Sequence, residues 1–134
     1  MTWGAGDYRA AASWAPVNGG ARLPGNDNVE DPAVWLGPRG FHALFHAMDG
    51  GPAYCGAHAF SEDGVAWTSS GWAYGNAVNF TDGGSFSFSR RERPHPVIDA
   101  NGTLLGISTG AQFGGPFGDA TFTLFQPVEQ SGVA

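Results

Sequence analysis

The sequence predicts an all-β fold with no substantial helix. Three observations carry that expectation. The 22 glycines and 9 prolines fill nearly a quarter of 134 positions, a density that disfavours long helices and favours short strands joined by tight turns. Asp63-Gly64 and Asn101-Gly102 are strong two-residue hairpin signals, and turn formers recur every ~8–12 residues. No stretch sustains an apolar period near 3.6.

Residues 1–28 carry little pattern. Trp3, Tyr8, Trp14 and Val17 stand among Gly, Ala, Asn and Pro, which predicts an irregular segment with one short strand. From residue 29 the pattern changes. Ala33–Leu36 and Phe41–Met48 read as strands joined by Gly37-Pro38-Arg39-Gly40. On the second strand, His42, Leu44 and His46 share one face, and Phe41, Ala43, Phe45 and Ala47 the other. Ala57–Ser61 and Val65–Thr68 flank Asp63-Gly64, whose positive φ values suit a hairpin turn. Ala77–Thr81 and Ser85–Ser89 flank Asp82-Gly83-Gly84. Pro96–Ile98 and Thr103–Thr109 flank Asn101-Gly102, and Ala120–Pro127 is the last strand.

Two series are loosely alike. Glu30-Asp31-Pro32 and Glu92-Arg93-Pro94 each precede a strand, a Gly-containing turn and a longer strand, about 60 residues apart. A propeller blade takes ~40–45 residues. Residues 29–134 are therefore expected to form blades of an incomplete β-propeller; the alternatives are a protomer completed by another chain and a β-sandwich interaction domain. The whole chain has room for about three, whereas closed propellers have ~4–8. Exposed blade edges predict self-association.

Composition excludes several function classes. Hydrophobic residues make up 42% and charged residues 13%, so the chain should fold. The net charge is −6, with no lysine and 6 arginines, too few cations to neutralise a row of phosphates, so nucleic-acid binding is not expected. There is no basic amphipathic face for a membrane surface and no apolar run near the ~18 residues that span a bilayer. No basic segment precedes an apolar core near Met1, so no signal peptide is visible, and the compartment stays open. Cys55, the one cysteine, excludes an internal disulfide and a cysteine-based zinc site. No cofactor is expected and no metal ligands are assigned; whether a metal binds the propeller axis stays open.

The candidate chemistry lies in the two acid–proline motifs. Proline after Asp31 predicts an extended Asp31, presenting a carboxylate at the mouth of a strand; the alternative is a side chain that caps a turn. Arg90-Arg91-Glu92-Arg93-Pro94-His95 holds half of all the basic residues. Arginine forks bind carboxylates and could fix Glu92 in place; the alternative is a solvated surface turn. Paired carboxylates are what glycoside hydrolysis needs. His42 and His46 lie about 13 Å apart on one strand, too far to hold one metal. Each histidine is expected to be a hydrogen-bonded core or pocket-lining side chain; the alternative is a common cavity faced by His46 and His58 from adjacent strands. Ser61-Glu62-Asp63-Gly64-Val65-Ala66-Trp67 reads as a structural turn anchored by its tryptophan.

Together these residues resemble a known family. Glu30-Asp31-Pro32-Ala33-Val34-Trp35, Phe41-His42-Ala43-Leu44-Phe45-His46, Gly56-Ala57-His58-Ala59-Phe60-Ser61 with Asp63-Gly64 and Trp67, and Arg90-Arg91-Glu92-Arg93-Pro94 look like the five-bladed β-propeller glycoside hydrolases. These are the arabinanase, β-xylosidase and invertase-like group, family 43 and its relatives. The resemblance covers roughly residues 26–110. It implies a glycosidase acting on poly- or oligosaccharide, with a non-catalytic carbohydrate-binding fragment as the alternative. Asp31 matches the aspartate that orients the sugar, and Glu92 the general acid of an E-x-P motif. Glu30, Trp35, His46, His58, Arg91 and Arg93 would contact substrate. The general base, which relatives take from an earlier blade, has no matching motif in residues 1–28, where Asp7 is the one acid before Asp27. That predicts the C-terminal part of a longer propeller.

Overall fold

The computed structural model describes residues 2–4, 9–11, 14–16, 28–50, 55–114 and 120–129. The fold is all-β and antiparallel throughout, with helix confined to short 3-10 turns such as Met48–Gly50. Two short strands, β1 (Thr2–Gly4) and β2 (Trp14–Pro16), pair with each other. The N-terminal segment thus holds two strands rather than the one expected; Tyr8 and Val17 lie outside the described residues. A four-stranded meander follows: β3 (Val29–Gly37), β4 (Gly40–Ala47), β5 (Gly56–Ser61) and β6 (Thr68–Tyr74). Next is a small hairpin, β7 (Ala77–Asn79) with β8 (Ser85–Ser87). A three-stranded meander closes the series: β9 (Arg90–Ile98), β10 (Leu104–Gln112) and β11 (Phe122–Pro127). Among the described residues these sheets do not close into a ring.

Two expectations need correction here. The strand predicted at Val65–Thr68 begins instead at Thr68. Asp63 is the reason. Its Oδ1 accepts the backbone N–H groups of Val65 and Ala66 at 2.8 Å and the Ser61 hydroxyl at 3.0 Å, while Ser61 Oγ accepts the Gly64 N–H. The segment's amides are satisfied locally and are not offered to a neighbouring strand. Trp67 closes the turn by donating its indole N–H to the Gly64 carbonyl. The strand predicted at Pro96–Ile98 in fact starts at Arg90, so the arginine cluster belongs to a strand and not to a surface turn. Both faces of that strand are in use, which a charge run alone does not reveal.

The same irregularity occurs in both meanders. Glu30 pairs with His46, but the next paired residues are Ala33 and Leu44. Glu92 pairs with Gly110, but the next are His95 and Ser108. In each case three steps on the first strand oppose two on the second, which is a β-bulge. The bulged residues are Asp31 (φ 50°) and Arg93 (φ 53°), both in the left-handed region. Asp31 is therefore not extended as expected. Pro32 and Pro94 explain the conformation: proline disfavours a right-handed helical residue before it, while a bulge needs a residue that is not extended. The left-handed well remains. Glu30 and Glu92 thus hold equivalent positions, as do Asp31 and Arg93.

The two meanders pack with β9 against β3 and β4. Between them lies a cluster of Trp35, Leu44, Cys55, Tyr74 and Ile107, with Leu104 at its margin. The opposite face of β4 and β5 is buried in a second cluster, Ala43, Phe45, Ala47, Ala57 and Ala59. The expected alternation along β4 is observed, with both faces covered. A third cluster, Val78, Phe88 and Ala111, ties the small hairpin to the last meander. The Asn101-Gly102 turn sits against the end of β3. A Cβ on Gly102 would lie 2.2 Å from the Leu36 carbonyl oxygen, and its φ is 81°.

Gly102→Ala therefore meets both a steric and a conformational penalty. It is expected to destabilise the fold by about 2 kcal/mol or more, read as a lowered urea midpoint. Gly83→Ala, also at positive φ but with open space around it, is expected to lose only about 1 kcal/mol.

Candidate functional site

The two bulges bring the acid–proline motifs to one place. Arg93 stands between them. Its Nε lies 3.8 Å from Asp31 Oδ2, and its Nη1 lies 3.6 Å from Glu92 Oε2. The other Glu92 oxygen, Oε1, is 3.4 Å from Arg90 Nη1. One guanidinium thus spans two carboxylates from two sheets. The contacts are long for charge-assisted hydrogen bonds, so the oxygens retain acceptor capacity. Arg93 is 73% exposed and Glu92 25%.

Beside them is a cavity of about 480 Å³. Glu30, His46, Arg91, Glu92 and Arg93 all line it, together with Cys55 and Arg90. Five of the residues singled out from the sequence therefore meet in one cavity, and Asp31 joins them through Arg93. Burial raises the Cys55 thiol above its ordinary value, against the charge of Arg91. Among the described residues no group of three His, Cys, Asp or Glu side chains is placed to hold a metal.

Trp35 and His58 lie elsewhere. They line a separate, largely apolar cavity of about 560 Å³ with Leu44, Leu104 and Ile107. The alternative in which His46 and His58 share a cavity is therefore corrected. His58 turns instead to His42, whose Nδ1 lies 3.0 Å from His58 Nε2. Trp35 stacks on the His42 ring at 4.9 Å and 18°. Diagonal neighbours on one face of an antiparallel pair are within reach of such rings. His58 sits opposite Leu44, and so diagonal to both His42 and His46; the stack with Trp35 favours His42. The seat for that ring is Gly37, where a Cβ would meet His42 at 2.8 Å. Burial, then the Arg39 charge, lowers the His42 pKa; burial, then His42, lowers that of His58.

Sequence reading missed two residues at these sites. His42 was paired with neither cavity, although the Pro38–Arg39 hairpin fixes its register. Tyr74, a member of the inter-sheet core cluster, lies under the Arg91 guanidinium, whose Cζ is 4.9 Å from the ring centroid. No local signal marks it, because the contact joins residues of different sheets.

No family model, curated protein or solved structure matches the chain.

Two outcomes are expected of this geometry. Arg93→Gly suits the left-handed backbone, so it should leave stability within about 1 kcal/mol of the parent, whereas Arg93→Ala keeps the strain and loses the ion pairs. Denaturant midpoints of the two variants check the order. The His pair sets a pH dependence. Both imidazoles are held neutral in the fold, so the unfolded chain takes up more protons below its value of 6.5. Their contribution is complete above that pH and is lost as pH falls through the lowered folded values. His42→Gln is expected to flatten the pH dependence of the unfolding midpoint below the unfolded value of 6.5.

Proposed function

We propose that the chain carries a carbohydrate site of the glycosidase type, built on neighbouring blades of a propeller. One observation carries the reading: acids from two sheets, in repeated acid–proline bulges, converge on Arg93 beside a cavity of sugar size. Two meanders with their first strands adjacent are what consecutive blades around an axis present. Carboxylates alternating with guanidinium groups suit vicinal hydroxyls, since each hydroxyl donates to one group and accepts from the other. In this reading Asp31 orients the sugar, Glu92 donates the proton and Glu30 supplies a third carboxylate in the cavity. His46, Arg91 and Arg93 contact the ring substituents. Trp35 and His58 act from a second cavity and are not part of the sugar subsite.

A second reading, a non-catalytic carbohydrate-binding protein, is favoured by the engagement of both Glu92 oxygens with arginine. Glu92→Gln separates the two. If the site is catalytic, the substitution is expected to lower aryl-glycoside turnover by about 100-fold or more. If it only binds, sugar affinity measured by calorimetry is expected to change by no more than a few-fold. An unchanged turnover in Glu92→Gln would remove Glu92 as the acid.

A further inference from the structure

Arg91 is the one guanidinium of the cavity with no acidic partner among the described residues. Arg90 and Arg93 are ion-paired to Glu92, and Arg93 to Asp31 as well. Arg91 is 1% exposed, and its partners are all neutral. Nε donates to Thr109 Oγ1 at 3.3 Å, Nη1 donates to the Gly75 carbonyl at 2.6 Å, and the Tyr74 ring lies against it. Nη2 has no hydrogen-bond partner among the described residues. A buried cation without a counter-charge is expensive, and a buried N–H without an acceptor adds to that cost.

Two more buried polar atoms lack partners: the Tyr74 hydroxyl and His46 Nδ1. Both belong to the same neighbourhood. Tyr74 packs on Arg91, and His46 lines the cavity with Arg91. Burial holds the proton on the Tyr74 phenol; Cys55, Asp31 and Glu92 act in the same direction and the Arg91 charge acts against it. The phenol is therefore a donor at neutral pH. The Arg91 guanidinium lines the cavity with one donor unmet, and the Tyr74 phenol packs behind it with another, which favours an acceptor that carries negative charge.

We infer that the sugar this site takes is an acidic one, a uronic acid, whose carboxylate completes Arg91 while its hydroxyls meet Glu30, Glu92 and Arg93. The inference rests on the sugar-site reading above and narrows it to a substrate class. Pairing selects the carboxylate. Arg91 alone of the cavity's arginines has no acidic partner among the described residues, a planar carboxylate matches its fork, and a dianionic phosphate would face the repulsion of Glu30 and Glu92 with twice the charge. A neutral sugar would leave the Arg91 charge unanswered.

Calorimetry of the full chain tests this, with D-glucuronate and D-galacturonate set against D-glucose and D-galactose. The uronates are expected to bind at least about 10-fold more tightly than their neutral counterparts. Arg91→Met, which keeps the stem and removes the charge, is expected to abolish that preference, so that each uronate binds no more tightly than its neutral counterpart. Should Arg91→Met fail to fold, Tyr74→Phe removes only the unpartnered hydroxyl and is expected to reduce the preference several-fold. Equal affinity for acidic and neutral sugars overturns the inference and leaves the sugar site standing. A preference that survives both substitutions also overturns it. Binding of neither class overturns the sugar-site reading itself, and the inference with it.

Discussion

Proline denies the residue before it a right-handed helical conformation, and this chain uses that restriction twice. At Pro32 and Pro94 the first strand of a meander must absorb one extra residue, and the left-handed well takes it. The site depends on these two bulges. They re-aim Asp31 and Arg93 out of the regular alternation of their strands, so that each reaches toward the other sheet. Without the bulges, residues 31 and 93 would follow the pleat, and their one ion pair across the gap would have no reason to form. The strain of two left-handed L-residues is on the order of 1–2 kcal/mol each, and the packing of β9 on β3 and β4 holds it in place.

Inside the same interface a polar and an apolar environment meet. Cys55 belongs to the inter-sheet cluster and also lines the charged cavity. Trp35, Leu44 and Ile107 belong to that cluster and line the apolar one. Arg91 crosses from the first environment into the core and anchors β9 to β10 through Thr109 and to the end of β6 through Gly75. Its hydrogen bonds are therefore structural as well as chemical. That dual use explains why a chain with so few charged residues retains one fully buried.

Much of the fold was legible in the sequence, and the reasons are local. Gly-rich turns and period-two alternation placed β3, β4, β5, β10 and β11 to within a few residues. The Ser61–Trp67 turn was read correctly as self-contained but was cut too short, because an aspartate that accepts two successive amides delays the next strand. The acid–proline motifs were legible as repeats, yet Asp31 was expected to be extended. A bulge depends on pairing register, which no single strand records. The same limit separated His58 from His46: the His42 contact is a cross-strand diagonal. The family resemblance named Glu30, His46, Arg91, Glu92 and Arg93 together with Asp31, Trp35 and His58, and the first five line one cavity. The buried, unanswered state of Arg91 needed the packing of two sheets.

The sharing of Arg93 between Asp31 and Glu92 is the claim on which the site stands, and the Arg93 side-chain Nε–Hε resonance reports it without any ligand. In a ¹⁵N correlation spectrum the account predicts that Asp31→Asn and Glu92→Gln each shift that resonance, and that the double variant moves it differently from the sum of the two. A resonance that responds to Glu92→Gln, its close neighbour in sequence, but not to Asp31→Asn would mean that the two motifs do not meet. The paired-carboxylate site would then not exist.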